Sequence, residues 1–90
     1  MAAAIEDRGL TKHASERMQQ RSIPPIVVEF LLDHGQPERG PGGAERFTFC
    51  KRSWRRLQRE FGPAAGHFER YRHVYAVVCD GRVVTVAYVR

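Results

Sequence analysis

The sequence predicts a small α+β domain with two N-terminal helices, a strand, an interrupted third helix and a C-terminal β-hairpin, its small antiparallel sheet packed on the helices. Two observations support this prediction. A proline-led apolar segment repeats at helical spacing over 25–34, and Asp80-Gly81, a strong hairpin-turn signal, divides a valine-rich C-terminus. The 90 residues suit one domain, so we predict a loose arm over 1–9 and a single domain over 10–90.

Two helices are predicted at the amino end. The first spans 12–21, has Thr11 as its N-cap and turns Ala14 and Met18 toward the core. The segment Ser22-Ile23-Pro24-Pro25 ends it and starts the second helix, because proline fits a first helical turn but not a helix interior. The second helix spans 25–34 and ends at Gly35. Its apolar pairs at i,i+4 spacing are Ile26 with Phe30 and Val27 with Leu31.

The middle of the chain alternates turn signals with apolar segments. Residues 36–43 contain two prolines and three glycines and are predicted as a loop. A strand follows over 45–50, with Phe47 and Phe49 on one face. Ser53 is predicted to cap a third helix, whose apolar residues are Trp54, Leu57 and Phe61. Gly62-Pro63 interrupts this helix, and its second piece runs to about Tyr71.

The C-terminal hairpin has a register that its turn predicts. Cys79 is expected to pair with Arg82, Val77 with Val84, Tyr75 with Val86 and His73 with Tyr88. Because strand residues alternate between faces, the helices are expected to cover Val74, Ala76, Val78, Val83, Thr85, Ala87 and Val89. The more open face is expected to carry His73, Tyr75, Arg82, Val84, Val86 and Tyr88. A slip of one residue would exchange the two faces.

Arginine dominates the charge: the chain has 15 basic residues, 13 of them arginine, against 10 acidic ones, for a net charge of +5. Arginine binds phosphate in a bidentate fork and stacks on bases, so a polyanionic partner is one interpretation. The alternative is that the charge serves only solubility. The amino end is acidic where a signal peptide is basic, and no apolar run could span a membrane, so we expect a cytoplasmic protein without a membrane partner. Cys50 and Cys79 are expected to be free thiols.

One face of the first helix combines a histidine with two arginines. His13, Arg17 and Arg21 follow one another at i, i+4 and i+8. His13 falls in the first turn, where the helix dipole opposes a positive charge and favours the neutral imidazole. A neutral imidazole beside two guanidinium groups is suited to accept a proton at a phosphate. The alternative is an exposed, solvated helix face.

A run of cations without any acid spans 46–59 and contains Arg46, Lys51, Arg52, Arg55, Arg56 and Arg59. Phe47, Phe49 and Trp54 are interleaved with them. Clustered cations with aromatic rings are what a single-stranded or looped RNA site requires. We therefore predict a nucleic-acid-binding surface here, while Trp54 is expected to pack in the core rather than stack on a base.

Several kinds of catalytic site are excluded by motifs that the sequence lacks. It has no paired-carboxylate site, no Cys/His spacing for zinc and no glycine-rich nucleotide-binding motif. Its scattered acids offer no ligand set for a two-metal nuclease. Metal-free RNA cleavage remains, because the 2′-hydroxyl of the substrate is the nucleophile and the protein supplies only a base, an acid and cations. We expect no cofactor and no metal.

Two segments resemble a known family. The stretch from Leu10 to Ile23, with its core His13-Ala14-Ser15-Glu16-Arg17-Met18, resembles a helix signature of the form HAxxRMxxR-x-I. The stretch Val83-Val84-Thr85-Val86-Ala87-Tyr88 resembles a closing strand of the form VITVY. Both look like a group of small bacterial proteins, the domain of unknown function 4258, which is similar to the RelE/barnase-like ribonuclease toxins. The resemblance covers both ends of the chain and implies a RelE/barnase-like fold.

The resemblance also implies site residues. Its helix motif falls on His13, Arg17 and Arg21, with His13 as base or acid and the arginines on phosphate, and its strand motif falls on Thr85 and Tyr88. The chain departs from the family in a long helical insert over 53–71, and we expect no tail beyond the last strand to complete a site. In toxins of similar fold the site lies on the open sheet face, which favours Tyr75, Tyr88 and His73 instead.

These observations support three hypotheses. The first is a metal-free endoribonuclease-like protein acting on RNA, the toxin of a toxin–antitoxin pair with an acidic antitoxin as its partner. The alternative is an RNA-binding module without catalysis, which requires the basic run but not His13. The third is a protein-interaction domain whose basic surface meets an acidic partner and whose strand edges form a homodimer. Toxicity that His13→Ala abolishes separates the first from the others, and salt-dependent RNA binding separates the second from the third.

Overall fold

The structure, a computed structural model, describes residues 9–89. Its main elements are α1 (Lys12–Gln20), α2 (Pro25–His34), β1 (Gln36–Arg39), β2 (Glu45–Thr48), α3 (Lys51–Phe61), β3 (Val74–Cys79) and β4 (Arg82–Tyr88). The predicted α+β arrangement is confirmed, with β1 as an additional strand. The predicted arm over 1–9 lies outside the described residues, Gly9 excepted. None of the helices in the described range has the length and apolar character needed to cross a membrane.

The strands form one antiparallel sheet in the order β1-β2-β3-β4, and α1 and α2 pack on one of its faces. The core between these two layers consists of Ala14, Met18, Ile23, Val27, Val28, Leu31, Val74, Ala76, Val83 and Val86. On the opposite face of the sheet, none of the described strand residues is buried. We call this second side the open face, and it is the side of the sheet that a ligand can reach.

The loop predicted over 36–43 is wrong for its first half, where β1 pairs with β2 from Gln36 opposite Thr48 to Arg39 opposite Glu45. An edge strand tolerates Pro37, because an edge residue can point its nitrogen away from the partner strand. Every β1 residue is exposed, so no alternation of apolar and polar residues marks the strand in the sequence. A 3-10 turn over Pro41–Gly43 then reverses the chain.

The ends of α1 and α2 lie within one residue of the predicted positions, since α1 ends at Gln20 and not at Arg21. Thr11 caps α1, and its Oγ1 accepts a hydrogen bond from the Ala14 amide at 3.1 Å. Gly35 ends α2 with an ordinary φ of −70°, so space rather than a left-handed backbone requires a glycine there. A Cβ at this position would clash with the Leu31 carbonyl oxygen. Ile26, one of the predicted apolar residues of α2, remains 47% exposed.

The predicted cap of the third helix is wrong by three residues, because the N-cap of α3 is Cys50 and not Ser53. Ser53 acts from inside the first turn, where its Oγ accepts a hydrogen bond from the Cys50 amide at 2.9 Å. The Ser53 amide in turn donates to the Cys50 side chain, which completes a capping box. Ser53 is therefore a capping residue, as predicted, but it occupies the N3 position of the capping box and not the N-cap position.

Beyond its first turn, α3 follows the prediction. Trp54 and Leu57 are buried in a second apolar cluster with Phe30 and Ala65. The predicted interruption is confirmed, since Gly62–Tyr71 continues as 3-10 turns. These turns carry the chain back to the sheet, where β3 begins.

The hairpin pairs Cys79 with Arg82 as predicted, but from Val77 onward the predicted register is wrong. The ladder has a β-bulge between Val77 and Val78, so Val77 lies opposite Thr85 and Val84 becomes the extra residue. Each later pairing is shifted by one residue. Tyr75 lies opposite Ala87 rather than Val86, and Tyr88 lies opposite Val74 rather than His73.

The bulge exchanges the two faces of β4 beyond Val84. Val86 is 0% exposed and Tyr88 packs against the core, whereas Thr85 and Ala87 turn to the open face. The reason is the chemistry of burial. Strict alternation would expose Val86, losing about 1.5–3 kcal/mol of burial free energy, and would bury the Thr85 hydroxyl, which then needs a hydrogen-bond partner.

Candidate nucleic-acid interface

The helix α3 carries five of the six cations of the predicted basic run, and all five are exposed. At about 100° per residue they fall within an arc of about 140°, on the side away from the buried Trp54 and Leu57. The residues of this arc, which we call the cationic face, are Lys51, Arg52, Arg55, Arg56 and Arg59. The face forms because the apolar residues repeat at helical spacing, so their burial leaves the cations in solvent.

Few carboxylates neutralise the cationic face. Arg56 Nε lies 3.3 Å from Glu60 Oε2, and the same carboxylate oxygen lies 3.8 Å from His34 Nε2. Four cations have no ion-pair partner among residues 9–89, namely Lys51, Arg52, Arg55 and Arg59. The face therefore presents charge that a bound polyanion can neutralise.

A groove runs along one side of the cationic face and is lined by Lys51, Trp54, Arg55, Gln58 and Arg72. The Arg72 guanidinium carbon lies 5.4 Å from the centroid of the Trp54 ring. Its Nη1 lies 3.6 Å from Glu69 Oε2. Sequence reasoning missed Arg72, because only the tertiary fold returns the residue that follows the 3-10 turns to the side of α3.

The sixth cation of the run, Arg46, lies on the open face of the sheet and not on α3. Its guanidinium carbon is 4.6 Å from the ring centroid of Tyr75, a cation–π geometry. The other open-face residues of β2, β3 and β4 are Thr48, Val77, Thr85 and Ala87. Because Tyr75 lies opposite Thr48, near the point where β2 leads into α3, this stack lies at the end of the sheet from which α3 starts.

The alternative site predicted on the open face is only partly assembled. Tyr75 lies on that face, and His73 precedes the buried Val74, so alternation places it on the same side. The Val89 amide donates a hydrogen bond to the His73 carbonyl at 2.6 Å, which continues the ladder. Tyr88 packs against the core on the opposite side, so its predicted place on the open face is wrong.

On α1 the structure brings two of the predicted catalytic residues together. Arg17 Nε donates to His13 Nε2 at 3.5 Å, a long hydrogen bond. His13 is exposed, and a shallow groove joins it to Glu16, Arg17 and Gln20. The Glu16 carboxylate reduces the net charge of this groove. Arg21 is exposed just beyond the end of α1.

The two predicted site residues of the closing strand lie on opposite faces of β4. Thr85 is on the open face, whereas Tyr88 is on the core side with α1. The amino end of α1 is nevertheless fixed beside β4, because the Thr11 amide donates to the Val83 carbonyl at 3.0 Å and Thr11 Oγ1 donates to the Val84 carbonyl at 3.4 Å. The five predicted catalytic residues therefore do not converge on one point of the surface.

Cys50, at the start of the cationic face, is a polar site that sequence reasoning did not identify. The hydrogen bond from the Ser53 side chain lowers the pKa of the Cys50 thiol below its ordinary value, and the Ser53 amide adds to this effect. Both groups donate to sulfur and so favour the thiolate. Cys50 and Cys79 are both free and half-buried.

Two further findings complete the description of the site. Among residues 9–89, no group of three or more His, Cys, Asp or Glu side chains is placed to hold a metal ion. Comparison of the chain with models of protein families, with curated proteins and with solved structures finds no match. The geometry of the cationic face and of the groove beside it therefore carries the functional argument.

Proposed function

We propose that this protein binds RNA through the cationic face of α3. The observation that carries the proposal is the set of four exposed cations, Lys51, Arg52, Arg55 and Arg59, that have no carboxylate partner within residues 9–89. A polyanion that neutralises them releases its condensed counterions, which supplies most of the binding free energy at low salt. Three of the four are arginines, whose planar guanidinium groups also match phosphate geometry.

RNA with unpaired bases fits the surroundings of this face better than an acidic protein does. Arg46 and Tyr75 form a stack on the open face at the end of the sheet from which α3 starts. Guanidinium planes and aromatic rings are surfaces on which unstacked bases pack, and double-stranded nucleic acid does not offer its bases in this way. An acidic protein partner would use the cations but not the stack.

A binding experiment with two charge-matched variants tests the proposal. Fluorescence anisotropy at low salt measures the affinity for a labelled single-stranded oligoribonucleotide. The double variant Arg52→Gln/Arg59→Gln removes two cations of the face, and we expect it to bind at least tenfold more weakly than the wild type. The control Lys12→Gln/Arg39→Gln removes the same charge at two exposed positions elsewhere. Equal losses in the two variants would contradict a site on α3.

A second candidate function, metal-free RNA cleavage, is favoured by one contact. His13 Nε2 accepts a hydrogen bond from Arg17 and is exposed, so an imidazole base stands beside a cation that can hold a phosphate. In this reaction the base takes the proton of the 2′-hydroxyl, whose oxygen attacks the adjacent phosphorus, and the 5′-oxygen of the next nucleotide leaves with a proton. The products carry 2′,3′-cyclic phosphate and 5′-hydroxyl ends.

Incubation of the protein with a mixed-sequence RNA in EDTA tests this second function. We expect the wild type to produce 2′,3′-cyclic phosphate ends and His13→Ala and Arg17→Ala to produce none. If the protein is the toxin of a toxin–antitoxin pair, an acidic antitoxin should bind the cationic face and block both activities. RNA binding without any cleavage would leave the proposed binding function and remove the catalytic one.

A further inference from the structure

The groove beside the cationic face is lined by cations from two separate elements. Lys51 and Arg55 come from one side of α3, and Arg72 comes from the segment that joins the 3-10 turns to β3. Gln58 adds an amide donor, and among residues 9–89 no carboxylate lines the groove. The groove thus differs from the rest of the cationic face, whose side chains point into solvent from one helix only.

Arg72 is held in place before any ligand arrives. Its guanidinium group lies over the Trp54 ring, which is 4% exposed and packs in the second apolar cluster. Its ion pair with Glu69 joins two side chains that are 41% and 62% exposed. Exposed ion pairs of this kind contribute little free energy, so an incoming anion can replace Glu69 at small cost.

The charge of the groove matches one class of ligand. Within residues 9–89, three cations and the Glu69 carboxylate give a net charge of +2 around the groove. A phosphodiester in the middle of a strand carries one negative charge, whereas a phosphate monoester carries about −1.5 to −2 at neutral pH. The monoester also offers one more free oxygen for the guanidinium and ammonium donors.

From this geometry we infer that the groove of Lys51, Arg55 and Arg72 binds a phosphate monoester at the end of an RNA strand. The inference rests on the proposed function, because Lys51 and Arg55 belong both to the groove and to the cationic face along which the strand would lie. The protein then distinguishes RNA ends that carry a phosphate from those that carry a hydroxyl. Trp54, the only tryptophan of the chain, reports occupancy of the groove.

Three oligoribonucleotides of one sequence test the inference: one with a 5′-phosphate, one with a 3′-phosphate and one with neither. Their affinities are measured by the fluorescence anisotropy of a label at an internal position of the strand, and Trp54 fluorescence reports separately whether the groove is filled. We expect one of the phosphorylated strands to bind about tenfold more tightly than the unphosphorylated strand, as charge-assisted hydrogen bonds to an additional charge imply. Inorganic phosphate at millimolar concentration should remove this preference.

Single substitutions test whether the groove residues cause the preference for a phosphorylated strand end. Arg72→Gln should abolish the preference, so that the phosphorylated and unphosphorylated strands bind this variant with equal affinity. Arg52→Gln, on the same helix but outside the groove, should weaken all three strands equally. Because Arg72 stacks on Trp54, near-ultraviolet circular dichroism checks the fold, and Lys51→Gln provides a second, exposed position at which the preference should fall.

The outcomes separate the two proposals. Equal binding of the three strands, with intact salt-dependent affinity, overturns the monoester site and leaves RNA binding in place. A preference for the phosphorylated strand that persists in both Arg72→Gln and Lys51→Gln shows that the phosphate monoester does not bind in this groove. Failure of every strand to bind overturns the proposed function, and the monoester site with it.

Discussion

The register of the hairpin decides which site residues share a face, and two matched substitutions test it. In the predicted register, which has no bulge, Val84 and Val86 both lie on the open face. Val84→Ala and Val86→Ala each delete two methyl groups from a valine. In the observed hairpin the bulge at Val84 buries Val86 completely, whereas Val84 remains half-buried. The two variants are therefore expected to lose different amounts of stability. In a hairpin without the bulge, their losses would be equal.

The magnitude follows from burial. Deleting two buried methyl groups costs about 1.6 kcal/mol in transfer free energy, and the cavity that remains raises the cost to about 2–3 kcal/mol. Val84→Ala removes groups that are partly solvated already, so we expect a cost below about 1 kcal/mol. With a slope of about 1 kcal/mol per molar urea for so small a protein, the midpoints of the two variants should differ by about 1–3 M.

Equilibrium urea unfolding, followed by far-ultraviolet circular dichroism, provides the measurement. The wild type, Val86→Ala and Val84→Ala are compared at the same pH, and equal slopes confirm that only stability has changed. Equal midpoints for the two variants, or a larger loss for Val84→Ala, would refute the bulge. They would also return Thr85 to the core side and Tyr88 to the open face beside Tyr75.

Two further predictions concern local contacts. Gly35→Ala should destabilise the fold by more than about 1 kcal/mol in thermal unfolding, because its Cβ would meet the Leu31 carbonyl oxygen, and a gain in stability would contradict the packing at the end of α2. In a Cys79→Ser background, alkylation of Cys50 should show a pKa below that of free cysteine, and Ser53→Ala should raise it. Because folding lowers this pKa, the associated stabilisation is present above the unfolded-state pKa and disappears as pH falls through the folded-state pKa. If Ser53→Ala left the pH dependence of Cys50 alkylation unchanged, this result would contradict the hydrogen bond from Ser53 to the thiol.

The elements that the sequence predicts well are those with local signals. Thr11 before α1, the prolines before α2 and the glycine after it mark helix ends through contacts within a few residues. Asp80-Gly81 fixes the turn for the same reason. The strand β1 lacks such a signal, because its exposed, proline-containing segment gains its hydrogen bonds only from β2.

The bulge and the groove depend on contacts that are distant in the sequence. Strict alternation from the turn predicts that Val86 lies on the open face. In the structure Val86 is buried instead of Thr85, because burial of the valine is more favourable than burial of the hydroxyl. The cationic face of α3 could be predicted, since its cations and its apolar residues lie in one helix. The groove could not, because Arg72 reaches Trp54 only after the 3-10 turns have reversed the chain.

The salt dependence of RNA binding tests the central claim most directly. The logarithm of the affinity for a single-stranded oligoribonucleotide is plotted against the logarithm of the KCl concentration between 50 and 200 mM. If the four cations that have no ion-pair partner within residues 9–89 all contact the strand, a slope of about −2.8 is expected, which corresponds to an affinity loss of about 50-fold over this range. Arg52→Gln/Arg59→Gln should reduce the slope to about −1.4. A slope near zero, or the same slope in both proteins, would show that the cationic face of α3 does not bind RNA.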